Sequence, residues 1–270
     1  MLAIAHPLAL PKAGELPFPV KVTMRPGEAR QLAREAPDGV LAVGGDGTIF
    51  EIVNGLVEAG HQGPLAIAPF GSGNDTARSL GITRRNWREK LQRGVVKRLD
   101  LGYLQPANAY PVHFLGCASL GFAATVTAQA ARLPRGLPGL YAVATMLALP
   151  RMRRYPAWLT TEDDAVPAQL LNVNLANLRY FGGGMTAAPK ADASDGMLDM
   201  VLMECGPLDV IRHLPRLFTG NFDVPKVTQR RFSWLRVDCE VPLQIQIDGE
   251  VLGTTPAECR VVPGALDVVC

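Results

Sequence analysis

Charge is scarce in this chain. Only 19% of its 270 residues are Asp, Glu, Lys or Arg, against about 25% in ordinary soluble proteins. The formal net charge is +2, so there is no concentrated basic field and a dedicated nucleic-acid binder is not indicated. Intrinsic disorder needs few apolar residues and a high net charge, whereas 48% of this chain is hydrophobic. Long apolar runs are missing too. The best, Tyr141 to Pro150, has ten residues, half of the ~20 that a helix needs to cross a bilayer. The N-terminus has no early Lys or Arg, and His6-Pro7 interrupts its apolar stretch, so no signal peptide is expected. The five cysteines, at 117, 205, 239, 259 and 270, are odd in number and far apart, with no C-x-x-C pair. Reduced thiols in a cytosolic protein are expected rather than disulfides or a zinc site. The histidines (His6, His61, His113 and His213) are isolated from one another, which suits core or surface roles better than metal ligation.

What is plentiful is turn chemistry, with 27 glycines and 22 prolines. At about 150 residues per domain the length predicts two domains. The first hundred residues alternate strand and helix patterns, the rhythm of an open parallel sheet. Val20 to Thr23, Val40 to Val43 and Leu65 to Ala68 read as strands. Pro26 to Ala36, Thr48 to Ala59, Asn74 to Leu80 and Trp87 to Arg93 read as helices. Ile49, Ile52, Val53, Leu56 and Val57 give the second of these an apolar face at i, i+3, i+4, i+7 and i+8. Beyond Leu104 the rhythm changes. Val112 to Ala118 reads as a strand, and 121–133 and 139–150 as helices, with Pro134 and Pro138 between them. From Tyr155 onward most segments alternate with period two (Leu170 to Ala176, Leu198 to Met203, Leu235 to Cys239, Leu243 to Ile247, Ala265 to Val269), interrupted by a helix over Pro207 to Phe218. Many strands with turns between them predict a sandwich. The expected division is an α/β domain over 1–106 and a β-rich domain over 107–270.

Two glycine-rich loops stand where chemistry would sit. Gly44-Gly45-Asp46-Gly47-Thr48 joins a buried strand to an amphipathic helix. Its glycines let the backbone turn sharply and approach a ligand, and the helix N-terminus offers free N–H groups to an anion. The spacing is neither G-x-G-x-x-G nor a Walker loop. A tight βα turn, with Thr48 as N-cap and Glu51 completing a capping box, is the plain structural alternative. The second loop, Pro69-Phe70-Gly71-Ser72-Gly73-Asn74-Asp75, follows the next strand and leads into a helix carrying Arg78. Two such loops at the carboxyl ends of adjacent parallel strands share one crevice, the usual ligand site of an open α/β sheet. Asp75 alone could serve only the helix dipole. In the second half, Gln244-Ile245-Gln246-Ile247-Asp248-Gly249 is an alternating strand ending in a hairpin Asp-Gly. Asp192, Asp195 and Asp199 cluster around an Asp-Gly turn. Arg84-Arg85, Arg151 to Arg154 and Arg230-Arg231 are basic groups. Each suits a solvated face, and the middle one, next to Tyr155 and Trp158, also suits an anionic membrane surface.

Taken in order, these motifs resemble the diacylglycerol-kinase catalytic family, soluble bacterial lipid kinases related to sphingosine kinases and more distantly to NAD kinases and phosphofructokinases. The resemblance runs through Gly44-Gly45-Asp46-Gly47-Thr48, Pro69-x-Gly71-Ser72-Gly73-Asn74-Asp75-x-x-Arg78, Leu99-Asp100-Leu101-Gly102 and Ala118-Ser119-Leu120-Gly121-Phe122. It continues in Gly182-Gly183-Gly184-Met185 with Ala188-Pro189, Asp195-Gly196-x-Leu198-Asp199, Asp248-Gly249-Glu250 and Val262-Pro263-Gly264-Ala265-Leu266. It implies a nucleotide-binding α/β domain, a sandwich-like lipid domain and a cleft between them. ATP would lie on the first loop near Asp46, Asn74 and Thr23, with Gly71, Ser72 and Gly73 beside it. Asp75, Arg78 and Asp100 match a polar network near the phosphates and Mg²⁺, and Asp248 matches the general base. Asp195 matches the family's ligand to a structural divalent cation. A lipid substrate, peripheral contact with the inner membrane face and a cytoplasmic location are implied, and a homodimer is left open. A kinase for a soluble acceptor such as NAD and a non-catalytic nucleotide or lipid sensor are the alternatives. The family's second motif differs in NAD kinases, which disfavours the first of these.

The chain departs from the family at its start. His6-Pro7 replaces Asn-Pro, and Pro11, Pro17 and Pro19 rule out a long first helix. Lys12 is then the nearest substitute for an N-terminal lysine contact. A strand returning from the C-terminus to the first domain is expected to be short or absent.

Overall fold

The computed structural model describes the chain except residues 37, 61–62, 135–136, 138 and 221–223 and the side chains of 213–215, 217 and 218. His61, Pro138 and the side chain of His213 therefore lie outside the described residues.

Four strands, β1 (Leu2–Ala5), β2 (Val20–Val22), β3 (Val40–Gly44) and β4 (Leu65–Pro69), form a parallel sheet in the order β2-β1-β3-β4. Every residue of β3 and β4 is buried, as continuous apolar runs covered on both faces should be. The connecting helices are α1 (Leu10–Ala13), α2 (Glu28–Arg34), α3 (Asp46–Glu58), α4 (Asp75–Ser79) and α5 (Trp87–Arg93). The first is a single turn, in keeping with the three prolines around it.

β5 (Val96–Pro106) leads into the second half, followed by β6 (Val112–Phe114), β7 (Cys117–Gly121), α6 (Phe122–Ala130), α7 (Leu140–Ala148), β8 (Tyr155–Thr161), β9 (Ala165–Leu170) and β10 (Asn172–Ala176). Then come β11 (Tyr180–Phe181), β12 (Met185–Thr186), β13 (Leu198–Met203), α8 (Pro207–Thr219), β14 (Val227–Phe232), β15 (Trp234–Cys239), β16 (Gln244–Ile247), β17 (Glu250–Thr254) and β18 (Ala257–Val269). An antiparallel sheet ordered β14-β13-β10-β7-β16-β17 packs on the β5, β18, β15 and β8 region of the larger sheet. Leu120, Val173 and Ile245 from one side meet Leu104, Leu159 and Leu235 from the other. The architecture is thus an α/β half with a parallel sheet, followed by a mainly β, sandwich-like half.

Two expectations are corrected here. Val112 to Ala118 is not one strand: it breaks at Leu115-Gly116, between β6 and β7. The returning C-terminal strand is neither short nor absent. β18 is 13 residues long, pairs with β5 from Ala257↔Pro106 to Val269↔Val96, and touches β4 in parallel at Val268↔Leu65. Pro263-Gly264, inside the last family motif, is a register shift between Val262 and Leu266 within a strand that begins eight residues before the expected Ala265. Such a bulge re-aims a strand without ending it.

Candidate active site

The two glycine loops are built against each other. Phe70 and Gly71 donate their N–H groups to Gly44 O at 2.9 and 3.0 Å. A Cβ at Gly45 would lie 2.9 Å from Gly71 Cα, so only glycine permits this approach. Asp46 opens α3 and accepts the N–H groups of Asp75 and Thr76 at 3.2 and 3.0 Å. It thereby fastens the start of α4 to the first loop. Asn74 sits at φ 56° and ψ 39°, a left-handed conformation that Asn tolerates. Its side chain accepts Gly71 N–H at 2.8 Å and donates to Gly71 O at 2.9 Å, closing its own loop.

The capping box of the alternative reading is absent. Gly45, not Thr48, is the N-cap of α3, and Glu51 turns away to accept Gly27 N–H at 2.8 Å and Ala29 N–H at 3.0 Å at the start of α2. The helix begins three residues earlier than its apolar periodicity indicates, so Thr48 lies inside the first turn.

A cavity of about 1020 Å³ lies between the halves. Thr23, Gly44, Gly45, Asp46, Gly47, Thr48, Gly71, Ser72, Gly73 and Asp75 line it from the first half, and Asp248 and Glu250 from the second. Thr23 is fixed there by its backbone and hydroxyl, both donating to Ala5 O at 3.0 and 3.3 Å. Asp248 and Gly249 form the β16–β17 hairpin with φ 46° and 96°, the positive pair that a tight primed turn demands. Its carboxylate accepts Cys117 N–H at 2.8 Å and Gly116 N–H at 3.3 Å. The break at Leu115-Gly116 thus supplies donors to this carboxylate. Hairpin residue and cavity carboxylate are one and the same, so those two readings of Asp248 are compatible.

Burial pushes the Asp248 carboxyl up to about 7 even though part of it faces the cavity; Cys117 and Gly116 N–H oppose the shift and Asp46 adds to it. Asp75 is pushed to about 6 by burial and by Asp46, against Gly183 N–H and Arg78. Its oxygens accept Arg78 Nη1 at 3.0 Å and Gly183 N–H at 2.6 Å. Burial also raises the Tyr141 hydroxyl above its ordinary value, and the charges of Asp75, Asp46 and Glu250 raise it further.

Four expected site residues do not line the cavity: Asn74, whose side chain closes its own loop, and Arg78, Asp100 and Asp195. Arg78 lies just outside it, paired with Asp75 and 5.7 Å from the Tyr180 ring centre. Asp100 is 3% exposed and accepts Gly196 N–H and Gly264 N–H, each at 2.7 Å. It ties the Asp195-Gly196 turn to the β18 bulge. Asp195 accepts Met197 N–H at 3.0 Å and pairs with Arg231, while Asp192 accepts the N–H and hydroxyl of Ser194. Among the described residues no three His, Cys, Asp or Glu side chains converge as a metal group.

Other cavity residues escaped the sequence reading. Arg84 donates to Pro69 O at 3.2 Å and Gly71 O at 2.9 Å and lies 5.9 Å from the Phe70 ring centre, so it braces the second loop. In sequence it is only half of a basic doublet. Lys12, the substitute expected for an N-terminal lysine contact, lines the cavity, and so do Arg25, Asn172, Asn174 and Gln246, which escaped the sequence reading. The period-two placement of the last three in otherwise apolar strands was the available clue.

Residues 8–104 match the diacylglycerol kinase catalytic domain, and residues 116–270 match the YegS C-terminal NAD kinase beta sandwich-like domain. The chain belongs to this lipid kinase family. It is 32% identical over 240 residues to a diacylglycerol kinase of Mycobacterium tuberculosis, covering 86% of this chain and 76% of that protein. A probable lipid kinase YegS-like protein of Pseudomonas aeruginosa is 30% identical over 257 residues, covering 92% and 83%. The fold of the lipid kinase family is matched by a crystal structure of a candidate diacylglycerol kinase from Bacillus anthracis str. Sterne. That structure has a TM-score of 0.83 at 21% identity and covers 99% of this chain and 96% of the other.

Proposed function

We propose that this member of the lipid kinase family transfers the γ-phosphate of ATP, with Mg²⁺, to a hydroxyl of a diacylglycerol-like or sphingoid lipid. The observation that carries the reading is the single cavity in which Asp248, from the second half, faces both glycine loops of the first. Phosphoryl transfer asks mainly for positioning, charge neutralisation and a group to take the hydroxyl proton. The Gly44–Thr48 loop and Ser72–Gly73 offer backbone N–H groups for phosphate oxygens, Gly71 N–H being engaged by Gly44 O and Asn74 Oδ1. Asp248 accepts the proton as the lipid oxygen bonds to phosphorus and the bond to the ADP oxygen breaks. Its raised pKa keeps it basic enough for that proton.

The cavity carboxylates are hard oxygen donors of the type that suits Mg²⁺. Those of Asp46, Asp75 and Asp248 already accept protein hydrogen bonds. The fit is therefore to a cation that arrives on nucleotide phosphates rather than to a preformed protein site, with Asp46 and Asp75 lining the cavity beside the loops to hold it; when bound, Mg²⁺ would neutralise phosphate charge. An apolar arm of the cavity, lined by Phe122, Val126, Leu140, Leu171 and Met203, favours a lipid acceptor over NAD.

The outer side of α7 exposes Val143, Met146 and Leu147, and Arg151, Arg153 and Arg154 follow it. This combination supports contact with an anionic membrane surface from the cytoplasmic side. No helix among the described residues is long and apolar enough to cross a membrane. Arg151→Glu with Arg153→Glu is expected to weaken sedimentation with anionic vesicles and leave neutral vesicles unaffected.

The deciding experiment is transfer of labelled γ-phosphate from Mg-ATP into a mixed-micelle lipid panel, with Asp248→Asn beside the unchanged protein. The reading expects a labelled lipid that the variant fails to make while it still binds ATP. Equal labelling by both proteins would remove Asp248 from the mechanism. ATP binding without any labelled lipid would favour the sensor.

A further inference from the structure

The β10-β7-β16 sheet has one apolar and one polar face. Val173, Leu175, Ala118, Leu120, Ile245 and Ile247 point into the sandwich core. The alternate positions carry Asn172, Asn174, Ser119 and Gln246, and register places Asn174 and Gln246 on either side of Ser119. Asn174 and Ser119 are 0% exposed, and Asn172 and Gln246 are each 5% exposed. Buried side chains of this kind are normally fully hydrogen-bonded, and part of the row is. Asn174 Oδ1 accepts both Ser119 Oγ and Asn172 Nδ2 at 2.8 Å, and Asn172 Oδ1 accepts Ala123 N–H at 2.8 Å.

Those two bonds fix the orientation of the Asn174 amide and leave its Nδ2 as a donor without a partner among the described residues. On the other side of Ser119, the Gln246 Oε1 acceptor is likewise without a partner. Asn172, Asn174 and Gln246 line the cavity, and Asp248 follows Gln246 by two residues. One orphan donor and one orphan acceptor thus belong to side chains that line the same cavity as the Asp248 carboxylate and the apolar arm.

We propose that this row seats the polar backbone of the acceptor lipid. It selects an acceptor with a carbonyl oxygen for Asn174 Nδ2 and a second O–H or N–H for Gln246 Oε1, beside the hydroxyl directed at Asp248. Monoacylglycerols and N-acyl amino alcohols have all three groups. A diacylglycerol spends its only hydroxyl at Asp248, and an alkylglycerol ether has no carbonyl. The inference rests on the lipid-kinase reading and shifts its acceptor away from diacylglycerols and free sphingoid bases, each of which lacks one of the three groups, towards singly acylated glycerols and amino alcohols. Its physical basis is that a buried polar group left unpaired by the wrong ligand retains its full desolvation penalty.

The test reads binding, which does not require turnover. Titration calorimetry of the full chain would compare 1-octanoylglycerol, its ether analogue 1-octylglycerol and 1,2-dioctanoylglycerol. The monoester is expected to bind at least about tenfold more tightly than either of the others, the scale of one buried group left unpaired. Gln246→Met should erase the preference over the diester while keeping the preference over the ether. Because the ligand series is measured on the unchanged protein, the result does not depend on a variant folding. Equal affinities for all three would mean that water satisfies the orphan groups, and the proposal would fall. Uniform weakening of all three by Gln246→Met would make that residue structural, with the same consequence. Selective binding without phosphate transfer would uphold the row and sink the kinase reading; transfer indifferent to carbonyl and second donor would do the reverse. No binding of any glycerolipid would overturn both.

Discussion

Asp100 and Asp248 are held alike but placed differently with respect to the cavity. Each carboxylate accepts two backbone N–H groups, from Gly196 and Gly264 in one case and from Gly116 and Cys117 in the other. Each stands in a short glycine-bearing motif. Asp100 is enclosed by the chain it fastens, and its oxygens have no access to the cavity. Asp248 keeps one side on the cavity, at the tip of a hairpin. Hydrogen bonding therefore does not tell the two carboxylates apart; access to the cavity does.

The comparison can be broken most directly by substitution. Asp248→Asn is expected to lower phosphoryl transfer by about 10²- to 10⁴-fold, the usual worth of a general base, with ATP affinity retained in a binding titration. Asp100→Asn is expected to invert that pattern. One amide N–H would face a backbone N–H in a buried site, costing about 1–3 kcal/mol of stability, measurable by urea denaturation. Activity per folded molecule should stay within about an order of magnitude, because the residue touches no reacting group. A collapse of activity without loss of stability would return Asp100 to the catalytic set.

The pH dependence sharpens the same contrast. Asp248 must be ionised to accept a proton, so the transfer rate should climb with pH and level off above about 7. The stability effect has the opposite sign. A carboxyl whose pKa rises from 3.8 unfolded to about 7 folded retains its proton longer in the folded state. Its contribution to stability is therefore largest at low pH, falls between those two values and stays low above them. Thermal unfolding of Asp248→Asn should lack that fall.

The smallest effect concerns the helix start. Glu51→Ala should cost about 1 kcal/mol of stability by uncapping α2, within the usual range for capping groups. Thr48→Ala should cost a few tenths at most, as expected of a residue inside a first turn. Equal losses would restore the capping box that the hydrogen bonds argue against.

Features governed by local backbone chemistry were legible before any coordinates. The glycine loops, the buried β3 and β4 runs, α5 and the Asp-Gly hairpin lie where spacing puts them, and the ordered motifs led to the family. Features that depend on distant partners were not legible. Asp100 sits in a motif, but only the arrival of Gly196 and Gly264 reveals its role. Arg84 looks like a solvated cation until Pro69 and Gly71 offer their carbonyls. Asn174 and Gln246 become neighbours only through β7, and a polar residue in a strand does not announce which face its sheet will bury. Pro263-Gly264 conceals the continuity of β18 because a bulge and a turn use the same residues.

That long strand has a consequence for cooperativity. β18 closes pairings with β5 and β4 across nearly the whole chain, Val268 meeting Leu65. A fragment ending at residue 106 would leave the free side of β4 and most of one side of β5 without partners, an open edge that invites association with other chains. The late closure of such distant pairs also slows folding. The two halves are therefore expected to melt in one transition, and grafting one half onto another protein would require β18 to travel with it.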